Sequence, residues 1–224
     1  MTDATPPARS HVDLTSWYGP WDPMTPAAVR DLLAGSDVRW WIAGGHAVDA
    51  HTGTRRAHGD IDVAVARDDI PALRRRLAGW HLWEAHDGAL KPLHPHHELR
   101  PDRHGLWARR DASSPWRLDL LVSAVADEHW LFKNDHGIRI PMPEAVTHHG
   151  GIPYLALEAV LLHKSRLMRD KDRRDFTTAL PHLSDRARKW LATALERHRP
   201  GHEWLPTLRN GRPARPASPP NRAP

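Results

Sequence analysis

The chain has 224 residues, with 32 Lys and Arg against 27 Asp and Glu, a formal net charge of +5 at pH 7 and 40% hydrophobic residues. Such a composition builds one globular domain with an appendage, or two small domains, and no apolar run of about 18 residues is present to form a spanning helix. The absence of cysteine excludes disulfides, thiolate zinc sites and a cysteine nucleophile, and the N-terminus lacks the charged-then-apolar order of a signal peptide, so a cytoplasmic location is expected.

In chain order, residues 1–25 carry Asp3, Asp13 and Asp22 against Arg9 among Pro, Ser and Thr, and read as a flexible N-terminal segment. Thr25-Pro26 followed by Val29, Leu32, Leu33 and Gly35 has the N-cap, first-turn proline and terminal glycine of a short helix. Val38–Ala43 is a buried strand ending in Gly44-Gly45, and His46–His51 is a short helix beginning at that glycine pair. Ile61–Ala66 reads as a strand, and Asp69–Ala78 as a helix with Ile70, Leu73 and Leu77 at helical spacing.

From Trp80 to Ile140 the segments are short and broken by Gly, Pro and Asp: Trp80–Ala85, Leu106–Arg109, Trp116–Val122, Trp130–Phe132 and Ile138–Ile140. These are expected to be antiparallel strands, with a turn at Asn134–Gly137. After Pro153 the spacing is helical, with helices over Leu155–Leu167 and Asp170–Leu180 and one opened by Ser184 with Ala187, Leu191 and Leu195 as its stripe. Residues 206–224 hold Arg209, Arg212, Arg215, Arg222, six prolines and no acid, the mark of a disordered Pro/Arg-rich tail. Four of the five net charges therefore belong to the tail, and the body is too nearly balanced to track nucleic acid. The expected organisation is a sheet domain over 26–150 and a small helical region over 151–205 packed on it.

Chemistry concentrates in Trp40-Trp41-Ile42-Ala43-Gly44-Gly45-His46 and in Gly59-Asp60-Ile61-Asp62-Val63. Residues i and i+2 of a strand share a face, so Asp60 and Asp62 present two carboxylates together. Such a pair repels itself unless a cation neutralises it, and hard divalent ions, Mg²⁺ above all, want oxygen donors of this kind. Gly44 and Gly45 at a strand-to-helix turn leave backbone N–H groups open to an anion at the positive end of the following helix, a place suited to phosphate. Asp119 interrupts the apolar strand Trp116–Val122. A carboxylate there either faces solvent or is compensated by a metal or cation, which makes it a candidate third ligand.

Gly-Gly, Asp-x-Asp on the second strand and a lone Asp on a later one resemble the nucleotidyltransferase superfamily, the polymerase-beta-like fold. The fuller run Trp40 to Asp49 with Gly53, Arg55, Arg56, His58 and Gly59-Asp60-Ile61-Asp62 is similar to the aminoglycoside 2''-adenylyltransferase-like branch. Gly151-Ile152-Pro153-Tyr154-Leu155, His163-Lys164 and Lys171-Asp172-x-x-Asp175-Phe176 agree with it. His46 stands where relatives of the branch often carry Trp. The resemblance covers residues 38–205 and implies an α/β (α+β) nucleotidyltransferase fold, a mixed β-sheet flanked by helices with a small C-terminal helical region.

It further implies transfer of a nucleoside monophosphate, AMP from ATP being the expected case, to a hydroxyl with release of pyrophosphate. Two Mg²⁺ ions would be held by Asp60, Asp62 and Asp119, with Asp119 also a candidate base. Gly44, Gly45, Arg55, Arg56, Lys164 and Lys171 would serve the triphosphate. The expected partners are an NTP and a hydroxyl-bearing small molecule, of which an aminoglycoside-like antibiotic is one case, rather than nucleic acid or membrane. The same fold also serves nucleotidylation of a protein or tRNA, or a catalytically silent binding module. Asp127, Glu128 and Glu144 are the acids available to a polycationic acceptor. The His94, His96, His97 run and His148-His149 read as loops rather than metal sites. Trp40, Trp41, Trp83, Trp107 and Trp130 read as packing, with one of the last three a candidate border of an acceptor pocket.

Overall fold

The computed structural model describes residues 17–210. In chain order these form α1 (Pro26–Leu33), β1 (Trp40–Ile42), α2 (Gly44–Thr52), β2 (Asp62–Ala66), α3 (Ile70–Arg76), β3 (His81–His86), β4 (Ala89–Pro92), β5 (Gly105–Arg109), β6 (Leu118–Ala126), β7 (His129–Phe132), β8 (Asp135–Pro141), α4 (Met142–Ala145), β9 (Val146–His149), β10 (Ile152–Leu155), α5 (Leu157–Lys164), α6 (Asp170–Ala179), α7 (Asp185–His198) and α8 (Leu205–Arg209). The strands make a mixed sheet of order β4-β3-β5-β6-β2-β1-β10-β9, extended by β7 and β8 from β6. Among the strands named, β1 with β10 and β2 with β6 pair in parallel and the other pairs are antiparallel. No helix among the described residues is long and apolar enough to cross a membrane.

The helix signals act as their chemistry requires. Thr25 Oγ1 accepts from Ala28 N at 3.2 Å and Ser184 Oγ from Ala187 N at 3.1 Å, each satisfying an orphan donor of a first turn. Alternation on β6 settles the position of Asp119. Leu118, Leu120 and Val122 are buried in the core while Asp119 and Leu121 turn to the opposite, half-buried face.

Several expectations are corrected. The turn before β8 is Lys133-Asn134, so Asp135 to Gly137 already belong to the strand. His148 and His149 are not a loop but the end of β9, hydrogen-bonded to β10 through a hairpin. Gly150 and Gly151, at φ of 58° and 75°, supply the two positive-φ residues that a tight hairpin turn needs. The Pro/Arg-rich tail does not begin at 206, because α8 runs to Arg209 and buries Leu208 against the helical layer; its remainder, 211–224, lies outside the described residues. Of the N-terminal segment, residues 1–16 lie outside as well. From Trp17 onward the chain follows the approach to β6, with Trp116 N donating to Pro20 O at 2.9 Å and Asp22 N to Trp116 O at 3.0 Å.

Register across the sheet aligns the acidic strands with the aromatic ones. Asp62 on β2 is the partner of Asp119 on β6, Asp119 of Trp107 on β5, Trp107 of Trp83 on β3, and Trp83 of Pro92 on β4. Register partners project from the same face, so two carboxylates and two indoles lie in one line across the sheet.

Candidate active site

The turn from β1 into α2 is shaped around Asp62. Ala43 N donates to Asp62 O at 2.9 Å, which ties the helix entry to β2. Gly44 adopts φ of 60°, and a Cβ built there would come within 2.7 Å of Asp62 Cγ. A side chain is thus excluded both by backbone conformation and by the carboxylate. Gly45 is enclosed on its other side, where an added Cβ would meet the Arg56 guanidinium and lie 2.7 Å from His58 Cε1. The first turn of α2 has no side-chain cap, so its N–H groups are open to an anion.

Asp60, Asp62 and Asp119 repel one another. Burial and the neighbouring Asp60 charge push the Asp62 carboxyl up to about 6, opposed by Lys164, Lys171 and Arg169. Asp119 is raised well above the ordinary carboxylate range by burial and by Asp62 and Asp60, while the Trp107 indole N–H and Lys133 favour its ionised form. Among the described residues none of the three carboxylates forms an ion pair, and no group of three or more His, Cys, Asp or Glu is gathered in a metal-holding arrangement. The donor set nonetheless fits a divalent cation: hard oxygens only, two of them on register-paired positions, and mutual repulsion that a bound cation would relieve.

On the α2 side of Asp62 the groups are cationic. Lys164 is not free there: its Nζ lies 2.6 Å from Asp175 and 3.7 Å from Asp172, in a buried network that Arg169 joins at 2.8 Å from Asp172. Arg56 reaches the same Asp175 at 3.3 Å. Lys171, Arg174 and Arg56, with Asp49, Thr54 and Asp175, line a small cavity of about 200 Å³. Its two acids are already engaged, so Lys171 and Arg174 carry its unspent positive charge. Arg55 is exposed and forms no ion pair among the described residues. A wider cavity, about 820 Å³, lies at the opposite end of β2 between α3, β3 and the 93–101 segment, and none of the expected site residues lines it.

Two groups that the sequence offered only as members of the matched run shape this turn. Asp49 on α2 accepts from Arg56 N at 3.2 Å and from Thr54 Oγ1 at 3.2 Å, and it bonds His58 Nε2 at 2.8 Å. His58 in turn stacks on His46, ring centroids 3.8 Å apart. Burial and His58 hold the His46 ring down to about 4, so it is neutral at pH 7. Asp49 stood within the matched motif, but nothing in a linear pattern assigns it to fastening the 53–60 loop.

A family model described as aminoglycoside-2''-adenylyltransferase matches residues 27–92, the stretch that holds Gly44, Gly45, Asp60 and Asp62. The chain is similar to the crystal structure of ANT(2'')-Ia in complex with adenylyl-2''-tobramycin, at 16% identity over 77% of this chain and 98% of that one, with a TM-score of 0.53. It is also similar to the solution structure of the antibiotic-resistance factor ANT(2'')-Ia, at 18% identity over 77% of this chain and 91% of that one, TM-score 0.52. Lincosamide antibiotic adenylyltransferase LnuA, lincomycin-bound, shares 19% identity over 72% of this chain and its whole length, TM-score 0.50. No curated protein matches. The fold is accordingly the one these three structures share, and the family model falls on the Gly44-Gly45 and Asp60-x-Asp62 motifs but stops short of Asp119 and the 151–176 blocks.

Proposed function

We propose that this chain is an Mg²⁺-dependent nucleotidyltransferase that moves a nucleoside monophosphate, AMP from ATP, to a hydroxyl of a small molecule and releases pyrophosphate. The observation that carries the reading is the Asp62–Asp119 register pair beside the Gly44-Gly45 helix entry. In this reading Asp60, Asp62 and Asp119 would hold the divalent ions, which would neutralise the polyphosphate charge and so favour attack of the acceptor hydroxyl on the α-phosphorus with pyrophosphate leaving.

The chain's own groups divide the remaining work. The uncapped first turn of α2 and the bare Gly44 and Gly45 backbone receive phosphate oxygens. Lys171 and Arg174 meet the far end of the triphosphate, and Arg56 is held beside Gly45 by its contact with Asp175. Lys164 acts through Asp172 and Asp175, fixing α6 against α5. Asp119 accepts the proton of the attacking hydroxyl, a role favoured by its place between Asp62 and the indoles.

The test is pyrophosphate release from each NTP with Mg²⁺ and a panel of hydroxylated antibiotics. The Asp60→Asn variant is expected to lower turnover by at least about 1,000-fold, the scale of losing a principal electrostatic group. No pyrophosphate with any acceptor, together with no NTP binding, would sink the proposal.

A further inference from the structure

The row Asp62, Asp119, Trp107, Trp83 divides the sheet face into two chemical environments. Toward α2 and α6 stand the cations that act on Asp62. In the other direction, about 5 Å and about 10 Å beyond Asp119 at the usual strand spacing, stand Trp107 and Trp83, both half-buried. The N-terminal segment adds Trp21, whose ring lies 4.8 Å from that of Trp107 at 74°, so the two indoles form a corner next to the carboxylates. Trp116, fully buried, lies 5.5 Å from Trp107 and 5.9 Å from Trp83 and makes the floor.

Apart from the carboxylates assigned to the divalent ions, the charges around this corner are positive or already paired. The Arg109 guanidinium lies over Trp116 at 4.4 Å and over Trp83 at 5.3 Å, and Lys133 acts on Asp119. Asp22 pairs with Arg117. Glu84 is in register with core-facing Leu106, on the other face, and pairs with Arg103 at 3.5 Å. Asp127 and Glu128 follow the far end of β6, about 25 Å from Asp119 at the rise of an extended strand. Glu144 pairs with Arg186. The acids that sequence offered to a polycation are therefore remote or engaged.

We infer that Trp21, Trp107 and Trp83 form the acceptor subsite, and that the acceptor is a hydroxylated ring compound with an apolar face and at most one positive charge. The inference rests on the transferase reading above and specifies its second substrate. Indoles favour such a ring because its C–H face lies flat on the π-surface while its hydroxyls stay at the rim. A compound with several ammonium groups would instead meet Arg109 and Lys133, with no carboxylate to receive it beyond those assigned to the divalent ions.

Calorimetric titration of the full chain with lincomycin, a monocation, and tobramycin, a polycation, tests this without relying on turnover. Lincomycin should bind more tightly. Trp21→Ala should weaken that binding about tenfold, Trp21→Phe by about threefold or less, and NTP affinity should be unchanged in both. If Trp21→Ala does not fold, Trp83→Ala carries the same expectation. Tighter binding of tobramycin with steep salt dependence, absence of lincomycin binding, or a Trp21→Ala protein that binds lincomycin as the wild type does would each overturn the inference. Pyrophosphate release is scored separately. Lincomycin binding without transfer under any condition would count against the transferase reading and leave the subsite standing, whereas transfer confined to polycations would do the reverse.

Discussion

An alanine at position 44 would have to take up a φ near 60° and place its methyl against the Asp62 carboxylate. The left-handed backbone alone costs about 1–2 kcal/mol for a residue with a Cβ, and relief of the clash must come from moving Asp62. Gly44→Ala is therefore expected to lower the melting temperature and to cut kcat/KM by about 100-fold or more, since displacements of about 1 Å in a reacting constellation have that effect. Thermal denaturation and steady-state kinetics on the same preparation check both parts. At this scale the sequence was informative. The Gly-Gly and Asp-x-Asp pattern singled out Gly44, Gly45, Asp60 and Asp62, because tight turns and repeated carboxylates leave few other residue choices. It was silent on the Asp49–His58 contact, which joins a helix to a loop through side chains whose identities suit many other settings.

At the scale of elements, α5, α6 and the 53–60 loop are joined by buried charge. Asp172 is wholly buried and Asp175 nearly so, with Lys164, Arg169 and Arg56 as partners. Removing one partner of such a set leaves an uncompensated buried charge, which costs about 3–5 kcal/mol where no other partner remains. Because Arg56 and Arg169 stay, Lys164→Met is expected near the lower end, about 3 kcal/mol, read as a shift in the urea midpoint. Lys171→Met, on the exposed face of α6, should leave stability within about 0.5 kcal/mol and raise the KM for NTP. Both lysines looked alike in sequence as phosphate candidates. What separates them is rotation about a helix and the approach of a neighbouring one, and neither is written in a local pattern. The missed hairpin of β9 and β10 has a related cause: His148 and His149 have weak strand preference, and their hydrogen bonds to β10 supply what propensity does not.

At the scale of the molecule, stability should respond to pH through the clustered carboxylates. Asp62 is raised from 3.8 to about 6 in the folded protein, so the folded state holds that proton more tightly than the unfolded chain. Its contribution favours folding below about pH 4 and is lost as pH rises through about 6. Asp119 has the same sign. His46, lowered from 6.5 to about 4, acts oppositely, and its contribution is lost as pH falls through that interval. The comparison that isolates the carboxylate is wild type against Asp62→Asn in chelator. The variant should gain in relative melting temperature between about pH 4 and 6, and Mg²⁺ added at pH 7.5 should raise the wild type's melting temperature more than the variant's.

By itself the sequence determined the alternation of core and surface positions, the helix caps and the glycine and carboxylate motifs, because each follows from periodicity, turn chemistry or short-range spacing; the fold it offered came from the resemblance those motifs carry. Only the tertiary structure decided that Asp62 faces Asp119 across parallel strands 57 positions apart in the chain. It also decided that Lys164 is spent on Asp175, and that an N-terminal tryptophan stands beside Trp107 at the edge of the site. Those are consequences of strand order and register, which arise when distant segments pay the entropy of meeting in one sheet, and no local rule of residue choice contains them.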